Sequence, residues 1–287
     1  STFTFGTSNN TTYSGLIQGT GNITKIGTGT ATFNHPNTYS GQTHINTGGL
    51  TLQNATAAGT SAITNNATLG LDFSNGSFAN NLNSNGVTNV SGLNVALTGA
   101  NAGFSGTWAI SGSAIATAPS NLGSAAVTLT SPTSQLSLQP AAGAGYTFSN
   151  VLTGTGILKA TLGSTNDHFN FDTNTGVAFT GTVELGSGQF SLTGANTTIL
   201  NNATLQLDTN NTTTVGMGTQ TVETLTMNGG TLLLPTSIPA DKTSAATINT
   251  NTLNLTAGTV QVTVPNTSEI PADWAGPTGT NPIFQQD

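Results

Sequence analysis

The chain is 287 residues long and only 5% charged, with a formal net charge of −7, three lysines (Lys25, Lys159 and Lys242), no arginine and no cysteine. So thin a basic complement excludes phosphate backbones and anionic lipid as partners, since both need clusters of Lys and Arg, and the missing cysteine excludes disulfide frameworks and thiolate metal sites. No apolar run reaches the roughly 20 residues of a spanning helix, and the N-terminus lacks the basic and apolar regions of a signal peptide; the expectation is a soluble stretch that starts inside a mature region, with no direct insertion into a membrane.

Polar surface must therefore come from Thr, Asn, Ser and Gly. Gly- and Ser-rich tracts are often disordered, but here the apolar residues alternate regularly. Ala67, Leu69 and Leu71, then Val183 and Leu185, then Val260, Val262 and Val264 stand at every second position, the period of a strand, and no window offers a helical pattern.

Taken in order, residues 1–15 carry a strand-like Phe3-Thr4-Phe5, a polar turn from Ser8 to Thr12, and Tyr13-Ser14-Gly15. A first super-repeat spans 16–73, with Gly27-Thr28-Gly29-Thr30-Ala31-Thr32-Phe33 leading to Tyr39-Ser40-Gly41 and a close at Ile63-Thr64-Asn65-Asn66-Ala67-Thr68-Leu69-Gly70-Leu71-Asp72. A weaker copy occupies 90–138 and contains Phe104-Ser105-Gly106. A third occupies 151–209, contains Phe179-Thr180-Gly181 and closes on Ile199-Leu200-Asn201-Asn202-Ala203-Thr204-Leu205-Gln206-Leu207-Asp208. Two further coils are expected in 222–264, Leu225 to Leu234 against Leu253 to Val262, joined by a loop at about 235–247. Prolines 265, 271, 277 and 282 then break the pattern over 265–287, leaving one β-helix over 1–264 and a Pro/Gly-rich end segment.

A super-repeat of about 65 to 75 residues is too long for one turn of a β-solenoid and suits three turns of roughly 20 to 25 residues. Gly and Asn supply the corners, and in-register recurrence predicts ladders of Leu on Leu, Asn on Asn and Thr on Thr. The reading is an elongated all-β parallel solenoid of roughly a dozen coils, with Tyr39, Phe104 and Phe179 at equivalent positions.

The run Gly21-Asn22-Ile23-Thr24-Lys25-Ile26-Gly27-Thr28-Gly29-Thr30-Ala31-Thr32-Phe33, followed by Asn37-Thr38-Tyr39-Ser40-Gly41-Gln42-Thr43 and Gly48-Gly49-Leu50, resembles the passenger-associated repeat of autotransporters, the type V secretion proteins: G-x-L-x-K-x-G-x-G-x-L-x-L, then N-x-Y-x-G-x-T, then G-x-L. The likeness is specific over 16–73, recognisable over 151–209 and weak between. Ile23, Ala31 and Phe33 stand where leucine is usual, and Asp167-His168-Phe169 departs from the pattern in the third copy. The resemblance implies a right-handed parallel β-helix displayed outside a Gram-negative cell by a C-terminal membrane barrel absent from these residues. In composition the chain is similar to the adhesin branch, which implies adhesion, autoaggregation and biofilm formation.

Candidate sites are few. The protease branch's G-D-S-G loop is absent, and His35, His44 and His168 lack an acidic partner pattern and read as loop or surface polar residues. Asp167, His168 and Asp172 form the one dense ionisable group, but β-helix lyases and hydrolases pair such carboxylates with Arg or Lys. Asp72 and Asp208 occupy equivalent repeat positions and read as strand caps through Asx turns rather than calcium ligands. Trp108 is either a glycan-stacking platform or core filling, with packing the stronger reading; Trp274 lies in the proline-rich end. The expectation is no catalytic, cofactor or metal site. Two adhesive functions follow: homotypic association with copies on neighbouring cells through Asn/Thr-rich faces, or binding of a host glycan or matrix protein. An ice-binding module would use Thr28-Gly29-Thr30, Thr128-Leu129-Thr130 and Thr224-Leu225-Thr226, whose unequal spacing cannot make one aligned rank.

Overall fold

The computed structural model describes residues 1–171, 178–193, 200–235 and 246–263. Asp172, Val264, Trp274, Lys242 and the expected end segment 265–287 lie outside them, as does most of the expected loop at 235–247. The architecture is a parallel β-solenoid of about eleven turns with almost no helix. Three sheets of five, nine and eleven strands run along its length, and the one short 3-10 turn among the described residues is Pro119–Asn121.

The alternation read from the sequence becomes an inside and an outside. On the nine-stranded sheet one inward column runs Phe33, Leu52, Leu71, Val90, Ile110, Leu129, each residue in register with the next. On the eleven-stranded sheet a second runs Phe78, Leu97, Ala116, Leu138, Ala160, Leu185, Leu207, Met227. All of these side chains are buried in one continuous core. At about 4.8 Å between strands, eleven coils give a core about 50 Å long.

Backbone pairing holds the faces together; buried asparagines hold the corners. The Asn80 Nδ2 amide donates to Ser61 O at 2.7 Å and Gly59 O at 3.2 Å. Asn37 donates to Ala57 O at 2.7 Å while its Oδ1 accepts from Ile17 N at 2.8 Å, so it ties three coils together. Asn101 does the same between Asn121 O and Leu82 N, at 2.6 and 2.7 Å, and Asn150 spans Gly123 O and Ala125 O at 2.9 and 2.8 Å. An amide serves here because it donates and accepts at once, and the corner carbonyls have no strand partner.

Lys25, the lysine of the passenger-like motif, points into the core. Its ammonium donates to Ile26 O at 2.7 Å, Gly27 O at 2.9 Å and Thr47 O at 3.3 Å, and burial pushes its pKa down.

The aromatic-hydroxyl-glycine triplets depart from expectation. Tyr39, Phe104 and Phe179 are all buried but do not share a column. Gly41 precedes the strand Thr43–Ile45 of the five-stranded sheet, Gly106 the strand Thr107–Ile110 of the nine-stranded sheet, and Gly181 the strand Thr182–Leu192 of the eleven-stranded sheet. Their common feature is contact: a Cβ on Gly41, Gly106 or Gly181 would lie about 2 Å from the carbonyl oxygen of Gly21, Gly86 or Gly156 on the coil below. These three glycines therefore mark tightly apposed corners, one at the entry to each face, whereas a Cβ on Gly15 of Tyr13-Ser14-Gly15 would meet open space. The repeated Ala-Thr-Leu-x-Leu-Asp run behaves likewise: Thr68–Leu71 lies in the nine-stranded sheet and Thr204–Leu207 in the eleven-stranded one. The reason is a change of coil length. Asn37 and Ala57 are 20 residues apart across a coil, whereas Thr128 and Thr153 are 25 apart, so a sequence period fixed at the start drifts around the solenoid. Towards the C-terminus the corners are absorbed into strands of up to 18 residues through register shifts, as between Leu185 and Ser187.

Two outcomes test this packing. Asn80→Ala leaves two carbonyls unpaired in the interior and should cost about 1–3 kcal/mol, read as a lower denaturant midpoint with unchanged slope. The Tyr39 hydroxyl, bonded to Thr43 Oγ1 at 2.7 Å, is pushed up by burial to about 12, and the Tyr146 hydroxyl is pushed up as well. Protonated phenols stabilise the fold fully below about pH 10, where unfolded tyrosine also keeps its proton, and that contribution is lost as pH rises through the folded value. Urea midpoints should hold to about pH 10 and then fall, and Tyr39→Phe/Tyr146→Phe should flatten the fall.

Candidate functional surface

The outward positions of each strand are as strictly ordered as the inward ones. On the nine-stranded sheet one outward rank reads Thr32, Thr51, Gly70, Asn89, Ala109, Thr128, Thr153, and its neighbour reads Thr30, Gly49, Thr68, Val87, Thr107, Ala126. Neither rank holds a charged side chain. Thr128 and Thr153 hydroxyls bond each other at 2.9 Å. The five-stranded sheet presents Thr4, Thr24, His44, Thr64 and Asn83, again with no Lys, Asp or Glu.

Charge is confined elsewhere. Residues 1–158 contain Lys25 and Asp72 alone, one positive and one negative, so the whole net charge of −7 falls in 159–287. Lys25 is buried, and Asp72 accepts hydrogen bonds from Gln53 Nε2 at 3.1 Å and Ser91 Oγ at 2.9 Å. On the eleven-stranded sheet the outward rank Ile115, Ser137, Lys159, Glu184, Gln206, Thr226 carries the ion pair Lys159–Glu184. Burial first, and then the neighbouring Asp208, push the Glu184 carboxyl up against the opposing pull of Lys159. Beside it Thr182, Thr204, Thr224 and Thr252 form an unbroken threonine rank.

Where the coils lengthen, a groove of about 540 Å³ opens between the segments 143–147 and 166–170. Asp167 lies at its edge, largely buried, with both carboxylate oxygens accepting from Gly143 N at 3.1 and 3.0 Å. His168 is exposed beside it and Asp172 falls outside the described residues. Among the described residues, no three His, Asp or Glu side chains converge on a point that could hold a metal ion.

The remaining sequence candidates scatter. His35 is exposed, its Nδ1 2.7 Å from Pro36 O. Trp108 is fully buried, its indole N–H donating to Leu122 O at 3.0 Å and its ring edge-on to Phe104 at 5.2 Å, so it fills the core. Asp72 and Asp208 are not equivalent: the first follows a strand of the nine-stranded sheet, and the second lies within Thr204–Val215 of the eleven-stranded one. The Thr-x-Thr units Thr28 to Thr30, Thr128 to Thr130 and Thr224 to Thr226 fall in different ranks, as their spacing required. The scarcity of charge already pointed to nearly uncharged Asn/Thr-rich faces; which strands make them is shown only by the register.

Comparison with known proteins places the chain beside proteins of unassigned role. It is 35% identical over 172 residues to an uncharacterized lipoprotein, YdeK, of Escherichia coli K12, a match that takes in 56% of this chain and 13% of YdeK. It is 38% identical over 85 residues to an uncharacterized protein, YuaQ, of the same strain, covering 30% of this chain and 6% of YuaQ. The chain thus spans a small part of both relatives. No family model and no solved structure matches it.

The ion-paired rank yields a test. An ionised carboxylate whose folded pKa is raised destabilises the native state at neutral pH, and protonation relieves this as pH falls through the folded value. Glu184→Gln should therefore melt higher than the parent at pH 7, and the gap should close on acidification.

Proposed function

We propose that this chain is a stretch of a non-enzymatic adhesin shaft at the envelope of a Gram-negative bacterium, an autotransporter-type passenger that associates with copies of itself on neighbouring cells. The observation that carries the reading is the nine-stranded face, whose two outward ranks are neutral and made of Thr, Gly, Ala, Asn and Val. Copies of a chain with net charge −7 repel wherever their acidic halves meet. Neutral faces avoid that repulsion, and small side chains with hydroxyls let two sheets approach and hydrogen-bond. Nine strands of about four residues cover about 550 Å², against about 800 Å² per partner in a standard stable interface. A single pair would thus be weak, and many pairs between two cells would be strong. The passenger-like repeat and the lipoprotein description of YdeK both support an envelope address.

Host-ligand binding is the second reading. The groove beside Asp167 and His168 favours it, being a recess of about 540 Å³ lined by amide, carboxylate and hydroxyl groups suited to an uncharged saccharide. Neutral glycans immobilised on an array should then retain the chain, and Asn166→Ala/Asn170→Ala should release it.

Self-association is checked with beads coated in the protein. They should clump no less at high salt than at low, because no charge lies in the contact and salt screens the repulsion between acidic halves. Thr32→Lys/Thr51→Lys/Thr128→Lys should disperse them, whereas Thr24→Lys/Thr64→Lys on the five-stranded face should not. Clumping that survives the first triple variant, or that vanishes in 1 M salt, on the order of a 3 Å screening length, would sink the proposal.

A further inference from the structure

The sequence holds three Asn-Gly pairs, Asn75-Gly76, Asn85-Gly86 and Asn228-Gly229. An asparagine followed by glycine is open to attack on its own side chain by the next backbone nitrogen, since glycine brings no Cβ to obstruct the approach. The fold treats the three pairs differently.

Asn75 is exposed at the corner that leads into the strand Ser77–Phe78, and it adopts φ 54°. Its Oδ1 accepts a hydrogen bond from Asn94 Nδ2, the equivalent corner residue one coil on, at 3.0 Å. That donor draws electrons from the Cγ carbonyl and points at the oxygen on which negative charge builds when Cγ is attacked. The Gly76 N–H has no hydrogen-bond partner among the described residues, while its carbonyl accepts from Ala96 N at 2.9 Å. Gly86 is the opposite case: it is buried, and its N–H donates to Asn65 O at 2.8 Å. Asn228 is held in the ladder opposite Ala257.

We propose that Asn75 is a site of self-modification, deamidating through an internal imide with water as the only co-reactant. Gly76 N forms a bond to Asn75 Cγ, the Cγ–Nδ2 bond breaks, and ammonia leaves carrying the proton lost by Gly76. Water then adds across either imide carbonyl and opens the ring to aspartate or isoaspartate. The product has one more negative charge, placed three residues from Asp72 in the otherwise neutral first 158 residues. In the isoaspartate form the corner also gains a backbone methylene at a point where successive coils must stay in register.

The selectivity belongs to the fold. Attack by Gly86 must first break its bond to Asn65, a loss of about 0.5–1.5 kcal/mol, so Asn75 should convert roughly 3- to 10-fold faster than Asn85. The test is incubation of the whole chain in mildly alkaline buffer. Peptide mapping then follows aspartate and isoaspartate at each site, and a parallel sample is kept in denaturant. The expected result is fast conversion at Asn75 in the folded chain, near-equal rates at Asn75 and Asn85 when unfolded, and slowing of Asn75 alone in Asn94→Ala. The Asn85 rate in that variant reports whether the fold is intact. Equal rates at the two sites in the folded chain, a faster Asn85, or an Asn94→Ala variant in which Asn75 is unslowed with Asn85 unchanged would each overturn it.

Discussion

Every coil of this protein must lie directly on the coil below it, with strands in register and corners nearly touching. That single constraint governs the rest. A parallel pair saturates its backbone groups only where extended segments face each other, and the corners between faces leave carbonyls that strand pairing cannot reach. Asn37, Asn80, Asn101 and Asn150 satisfy them from within, and Lys25 does the same with an ammonium where three carbonyls converge. Buried polar groups in this number would ruin an ordinary core. Here each one bridges coils, so it adds to the cohesion between turns.

Stability distributed in this way frees the surface. Each coil needs only its neighbours, and outward positions carry no obligation to form salt bridges. The outward ranks of the nine-stranded and five-stranded faces accordingly hold no Lys, Asp or Glu, and every acidic residue but Asp72 lies after residue 158 in the sequence. This division of charge along the sequence is the physical basis of the adhesive reading proposed above. The same stacking brings Asn94 against Asn75, and so a structural ladder creates a chemically distinct site at a corner.

The aromatic-hydroxyl-glycine triplet illustrates how a local rule becomes a global pattern. Gly41, Gly106 and Gly181 each sit where any side chain would strike a carbonyl of the preceding coil. An aromatic residue two positions earlier turns into the core. Corners of this kind are needed at all three edges of the solenoid, and the chain reuses one solution at each.

The sequence by itself determined the class of fold. Strand-period alternation at Ala67, Leu69 and Leu71, the recurring Gly and Asn corners and the scarcity of charge admit a stacked parallel coil, and that is what forms. Local chemistry also settled the burial of Trp108 and the misalignment of the Thr-x-Thr units. Which face each segment joins was decided only by tertiary structure. Alternation dictates inside from outside and is blind to direction around the axis, so a few extra residues per coil carried the second Ala-Thr-Leu-x-Leu-Asp run from one sheet to another. The groove at Asp167, the residues that make up each outward rank and the pairing of Asn94 with Asn75 lie beyond sequence reading for the same reason: each joins residues about one coil apart, and the coil length that aligns them is set by packing.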